Sequence, residues 1–190
     1  MSQSLSSTVV WQGGDLPLME MATLWRTDDG YALSGTVVGS LADAPLAARY
    51  RVECTSAWDT RTVWVELTRP TEVLEIRAEV SSAGTWTVNG SRRAELDGLR
   101  DVDIQVTPST NTLPIRRLAL GVGAEAEVTA ARIHLPDLSV SPLTQSYRRV
   151  GAREYEYRSG DFRAHLTVDG DGLVVSYGSF WRRLGVLTPL

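Results

Sequence analysis

Residues 49–68 read RYRVECTSAWDTRTVWVELT, and their two apolar alternations around a short polar break decide the fold class. Side chains two apart share one face of a strand. Tyr50, Val52 and Cys54 therefore make one apolar face, and Val63 and Val65 make another. Joining the two runs through a turn around Trp58 and Asp59 pairs Val52 with Val63 and Tyr50 with Val65. Outside, the same register sets Arg49 against Glu66 as an ion pair and Arg51 against Trp64 as a cation–π contact. Inside, it leaves Cys54 opposite Arg61. A buried guanidinium without a partner costs several kcal/mol. Arg61 is thus expected either to meet a carboxylate from Glu20, Asp101 or Asp103, or to lie in water at the strand end.

The period of two recurs on both sides of this hairpin, with no sustained helical periodicity. Strands are expected at 19–26, 31–38, 49–55, 60–68, 73–80, 85–88, 101–106, 115–120, 126–134, 146–150, 154–158, 162–168 and 173–177. So many strands exceed a comfortable open sheet, which curls, closes or splits. The expected architecture is all-β, a spiral β-roll or barrel-like antiparallel sheet. No linker divides the chain, so one domain over residues 1–190 is expected.

A net charge of -4 and a pI near 5.2 argue against nonspecific binding to nucleic acid or anionic membrane, both of which call for a basic surface. Every cation is arginine, with no lysine, which a GC-rich genome explains. The start, MSQSLSSTVVWQGG, has neither the cationic beginning nor the apolar core of a secretory signal, and no segment approaches a membrane span. A cytoplasmic protein without membrane insertion is expected. Cys54 is alone and reads as strand core. His134 and His165 are far apart and have no metal spacing or triad signature. Asp169-Gly170-Asp171-Gly172 reads as a hairpin turn, because the remaining ligands of a calcium loop are missing. No metal or cofactor is expected.

The candidate site lies in residues 96–120, LDGLRDVDIQVTPSTNTLPIRRLAL. On a strand, Asp101, Asp103, Gln105 and Thr107 share one face, while Val102, Ile104 and Val106 share the other. A hairpin with 115–120 would set Val102 against Leu120 and Ile104 against Leu118. Asp103 would then face Ala119, with Arg117 as its diagonal neighbour. The outcome is a polar recess with acidic walls and an arginine clamp. Pro108 and Pro114 stiffen the turn, whose Ser109, Thr110, Asn111 and Thr112 can hydrogen-bond backbone or ligand. The ordinary alternative is a solvated strand face with a cross-strand ion pair of little energetic weight.

Here the chain resembles the glycolipid-binding protein family of bacteria. Asp101–Asp103 and Thr107–Arg117 follow that family's DVD and TP-x-TNTLPIRR pattern almost letter for letter. The likeness continues through Trp11, Glu20, Trp58, Arg61, Gly84, Trp86, Asp97, Gly98, Gln145, Tyr147 and the DGDGLVVSYGSF run. Two positions depart from it, Leu99 where a cysteine is usual and Ser109 where an aromatic is usual. A third lies near the C-terminus, where Ser176, Tyr177 and Gly178 replace Asp-Tyr-Pro. The resemblance implies a β-roll shaped like the bacterial lipoprotein carriers, and a small amphipathic, glycolipid-like ligand.

Together these readings give an expected ligand-binding set of Glu20, Trp58, Arg61, Asp101, Asp103, Asn111, Arg116 and Arg117. An apolar interior would take the ligand's tail, and tryptophan could stack on a sugar ring. Two other classes compete. Aspartates two apart on a strand are separated by roughly 7 Å, compatible with a carboxylate-dependent hydrolase of a glycoside or ester. An adjacent arginine would instead keep both ionised, when a general acid needs a raised pKa, and this favours binding over catalysis. In the third class the charged cluster only locks the fold.

Overall fold

The computed structural model describes residues 3–41 and 43–188. Residues 1, 2, 42, 189 and 190 of the expected 1–190 domain lie outside the described residues. The strands are β1 (Gln3–Gly13), β2 (Leu18–Thr27), β3 (Gly30–Leu41), β4 (Ala44–Thr55), β5 (Thr60–Arg69), β6 (Glu72–Val80), β7 (Trp86–Val88), β8 (Ser91–Arg92), β9 (Asp101–Ile104), β10 (Glu125–Ile133), β11 (Val140–Arg149), β12 (Glu154–Ser159), β13 (Phe162–Val168), β14 (Val174–Tyr177) and β15 (Trp181–Leu187), and a helix α1 (Thr112–Leu118) follows β9. They form one 15-stranded sheet ordered β8 to β1, then β15 to β9. Hairpins build each half in sequence, except that β9 joins β10 in parallel. β1 and β15 join the halves antiparallel at the centre.

The two edges, β8 and β9, are consecutive in the chain, and the sheet rolls until they approach. Thr60 N–H at the start of β5 donates to Arg100 O just before β9, and Arg93 just after β8 reaches Val140 O on β11, so each edge is tied across the roll to the other half. This is the all-β roll expected from the sequence. Among the described residues no helix is long and apolar enough to cross a membrane.

The hairpin of β4 and β5 has the expected register: Val52 faces Val63, Tyr50 faces Val65, Arg49 faces Glu66 and Arg51 faces Trp64. Arg49 and Glu66 lie 3.7 Å apart, and Arg51 turns to Glu53 at 2.9 Å instead of stacking on Trp64. The register shifts between Glu53 and Cys54, so Cys54 faces Thr60 and not Arg61. A bulge moves the following side chain to the other face. Thr60 is therefore buried and Arg61 half-exposed. Arg61 makes no salt bridge to Glu20, Asp101 or Asp103 among the described residues, which corrects that expectation.

The larger correction is at 115–120, which is not a strand. Residues 112–118 form α1, and Ala119 closes it in the left-handed conformation (φ 45°) with its N–H on Ile115 O. Pro114 falls in the first turn, where a helical N–H has no partner to lose. The hairpin with β9 therefore does not exist. β9 pairs parallel with β10, Asp103 beside Arg132, and parallel neighbours need a long crossover, which the loop and α1 supply. Residues 106–115 are buried end to end, so this segment plugs the roll.

With Trp11, Tyr50, Trp86, Leu33 and Leu113 all at or below 2% exposure, the interior is a packed core. An apolar lumen able to take a lipid tail is not what these side chains build. One strand glycine shows how tight the packing is. Gly35 faces Tyr50 across β3 and β4, and a Cβ there would lie 2.5 Å from Tyr50 Cζ and 2.6 Å from Cε1. The ring crosses the space that a side chain would fill. Gly35→Ala is expected to lower stability by about 2–3 kcal/mol, a fall in Tm of about 5–10 °C by calorimetry. An unchanged Tm would mean that Tyr50 does not lie there.

Candidate binding pocket

The two aspartates of β9 do different work. Asp101 is 1% exposed and takes Arg117 in a bidentate pair, Nε on Oδ1 at 3.1 Å and Nη2 on Oδ2 at 2.5 Å. Arg117 projects from the last turn of α1, so the pair fastens the plug to the sheet. It does not reach Asp103, as a hairpin register would have required. Burial lifts the Asp101 carboxyl above its usual range, against the pull of Arg117.

Asp103 accepts from Gln145 Nε2 at 2.9 Å and has Arg132 Nη1 at 3.7 Å. Its carboxyl is also raised, because burial outweighs Arg132 and Gln145. The arginine beside this carboxylate is Arg132, not the expected Arg117. Asp103 opens onto a pocket of about 390 Å³, within the usual span of small-ligand sites. Its polar lining residues are Asp103, Gln105, Thr107, Asn111 and Arg132. The same pocket is lined by aromatic and apolar side chains, Leu16, Leu143, Tyr157, Phe162, Tyr177, Phe180 and Trp181. The rings brace each other: Tyr157 lies 5.7 Å from Tyr177, and Phe162 lies 5.1 Å from Phe180. Burial raises the Tyr157 and Tyr177 phenols, so both stay neutral.

Asn111 holds the polar rim. Its Nδ2 donates to Pro108 O at 3.1 Å and its Oδ1 accepts from the Tyr147 hydroxyl at 2.9 Å. Behind Thr107, Glu20 lies wholly buried on β2 at 1% exposure. The Tyr50 hydroxyl donates to its Oε1, Thr107 Oγ1 lies 2.7 Å from the same oxygen, and Ser109 Oγ lies 2.6 Å from Tyr50 Oη. Oε2 has no partner. Desolvation pushes this carboxyl up to about 8, more than the hydrogen bonds lower it, so Glu20 is chiefly a neutral acid at pH 7. A counterion for Arg61 it is not.

Of the eight residues singled out from the sequence, Asp103 and Asn111 line this pocket. Trp58 is buried, stacked 4.0 Å from Tyr31 and covered by Arg116 at 5.3 Å, so its ring has no free face toward the pocket. Arg61 borders a separate groove with Asp59 and Arg100, and Arg116 borders a third recess. Trp11 and Trp86 are core, their indole N–H groups on Val174 O and Leu99 O. Arg132 and the aromatic side chains escaped the sequence reading because they come from β10 and from the β12–β15 hairpins. The available signal was the density of Tyr and Phe between 155 and 180. Gln145 was within reach too, since it stands in the pattern that carries the family resemblance.

Residues 8–183 match the profile of the family described as "Putative glycolipid-binding". A solved structure, of a DUF1089 family protein from Pseudomonas aeruginosa, superposes with a TM-score of 0.78 at 30% identity, covering 87% of this chain and 92% of that one. No curated protein matches the sequence.

Proposed function

The chain belongs to this glycolipid-binding family, and from that premise we propose that it binds a glycolipid-like amphipathic ligand in the pocket beside Asp103. The observation that carries the reading is a pocket lined both by charged and hydrogen-bonding groups and by a cluster of aromatic rings. A sugar ring presents hydroxyls at its edge and a C–H face. Its face would stack on Tyr177, with Phe162 set edge-on beside it, while Asp103, Asn111 and Arg132 take its hydroxyls. The remaining lipid would leave through the mouth, since the roll's interior is packed. Asp101 and Arg117 act at one remove, by fixing β9 and α1. We read the chain as one cytoplasmic binding domain that works without a cofactor.

The hydrolase reading draws support from the raised Asp103 carboxyl, a property of general acids. It lacks a second group. Asp103 is the only carboxylate among the described residues lining the pocket, whereas glycoside hydrolysis pairs two.

Native mass spectrometry of gently purified protein is expected to show a co-purifying lipid. Tyr177→Ala and Asp103→Asn should each weaken retention about tenfold, the usual effect of losing one stacking or charged hydrogen-bonding partner. Retention unaffected by both substitutions would refute the site. Glycoside turnover abolished by Asp103→Asn would replace binding with catalysis.

A further inference from the structure

The recess bordered by Arg116, of about 440 Å³, lies where the end of α1 meets the β11–β12 and β13–β14 turns. Among the described residues most arginines of this acidic chain are salt-bridged to a carboxylate, and of those that are not, Arg116, Arg149 and Arg153 all line this recess. Two are held in place. Arg149 donates to the carbonyls of Leu120, Gly151 and Ala152 and stacks 5.9 Å over Tyr155. Arg116 donates to Gly170 O at 3.2 Å and caps Trp58. A Cβ on Gly172 would come within 2.9 Å of Arg116 Cδ, so the glycine makes room for the arginine's stem. The Arg153 carbonyl accepts from Val168 N–H at 2.9 Å, but its guanidinium makes no hydrogen bond or salt bridge among the described residues.

Each guanidinium carries five donors, so three bonds leave Arg149 with two, and Arg116 and Arg153 keep most of theirs. The acidic residue in the lining, Asp169, is already committed. Its Oδ1 accepts the backbone N–H groups of Asp171 and Leu173 at 3.0 Å, and its Oδ2 is taken by Arg183. Three fixed or free cations thus face a cavity whose described lining residues offer no uncommitted carboxylate to balance them. Guanidinium groups match phosphate oxygens in geometry and charge, and three cations suit a doubly charged anion better than a single carboxylate. We propose that this recess, built by Arg116, Arg149 and Arg153, is a binding site for a phosphate group, separate from the aromatic pocket.

A phosphorylated lipid headgroup and a soluble phosphate ester share this chemistry, and two probes separate them. Inorganic phosphate is titrated by calorimetry at low ionic strength. Flotation compares vesicles of phosphatidylglycerol in phosphatidylcholine with phosphatidylcholine alone. The variants are Arg153→Gln, which removes no side-chain hydrogen bond or salt bridge among the described residues, and the double variant R116Q/R153Q, with Tm confirming the fold. The wild type is expected to bind phosphate with an affinity that falls as salt rises, weakened about tenfold by Arg153→Gln and lost in the double variant. Vesicle binding lost in the same variants assigns the site to lipid headgroups, and phosphate binding without vesicle binding assigns it to a soluble ester. Wild type that binds neither probe, or a double variant that binds as well as wild type, overturns the proposal. Tyr177→Ala should leave phosphate binding unchanged, so failure of the glycolipid reading would not remove this one.

Discussion

Arg117→Ala is expected to be the most destabilising single side-chain truncation in the charged region, lowering the free energy of unfolding by about 3–5 kcal/mol at pH 7. The cost is not the worth of the ion pair itself. It is the penalty of leaving Asp101, 1% exposed, charged and unpartnered beneath the plug. That penalty has a pH signature. Burial already holds the Asp101 carboxyl above its ordinary value of 3.8, and removing the guanidinium raises it further. The variant can escape by protonating Asp101, which is easier in acid, so its deficit against wild type should shrink as pH falls toward 4. Arg117→Lys should recover only part of the loss, because an ammonium cannot make the two-pronged contact of Nε and Nη2. Urea unfolding at pH 7 and pH 4 measures both effects. A wild-type midpoint for Arg117→Ala at pH 7 would show that the plug is held by apolar packing alone. Ligand retention in the folded variant should stay near wild type, since Arg117 does not line the aromatic pocket.

The second large effect belongs to Glu20 and runs in the opposite direction with pH. In the folded chain its carboxyl titrates at about 8, against 4.5 for an ordinary glutamate. Between these values the native state holds a proton that the unfolded state has released, so stability falls as pH rises through the window and levels off above it. The full difference corresponds to about 5 kcal/mol. Glu20→Gln keeps the shape and the acceptor for Tyr50 and Thr107 but has no proton to lose. The variant should resemble wild type near pH 5 and become the more stable of the two above pH 8. Parallel pH–stability profiles for the two proteins between pH 5 and 9 would exclude Glu20 as the source. The buried acid also explains why Arg61 finds no partner there: a neutral carboxyl with two hydroxyl donors on one oxygen offers a cation little.

The central hairpin shows what a local reading captures well. Val52 against Val63 and Tyr50 against Val65 follow from parity alone, because the strands are close in sequence and one face must leave water. A single bulge at Glu53 and Cys54 was enough to turn Arg61 outward, and nothing in an alternating pattern marks the place where an extra residue is absorbed. Residues 115–120 failed for a related reason. Six residues fit a period of two as readily as a helical turn, and the decision fell to the crossover that parallel pairing of β9 and β10 demands. β1 and β15 were missed because their mutual pairing joins residues such as Trp11 and Arg183, with no turn between them to announce it.

By itself the sequence determined the all-β class, the register of its best hairpin and the family, since period, turn residues and motif are properties of neighbouring positions. Only the tertiary structure decided which arginine serves which aspartate, that the roll is plugged rather than hollow, and where the pocket opens. Glu20 meets Thr107 across 87 positions of chain, and Asp103 meets Gln145 across 42. Partners that far apart are chosen by which surfaces the rolled sheet brings together and how far each charge is taken from water, neither of which any run of neighbouring residues encodes.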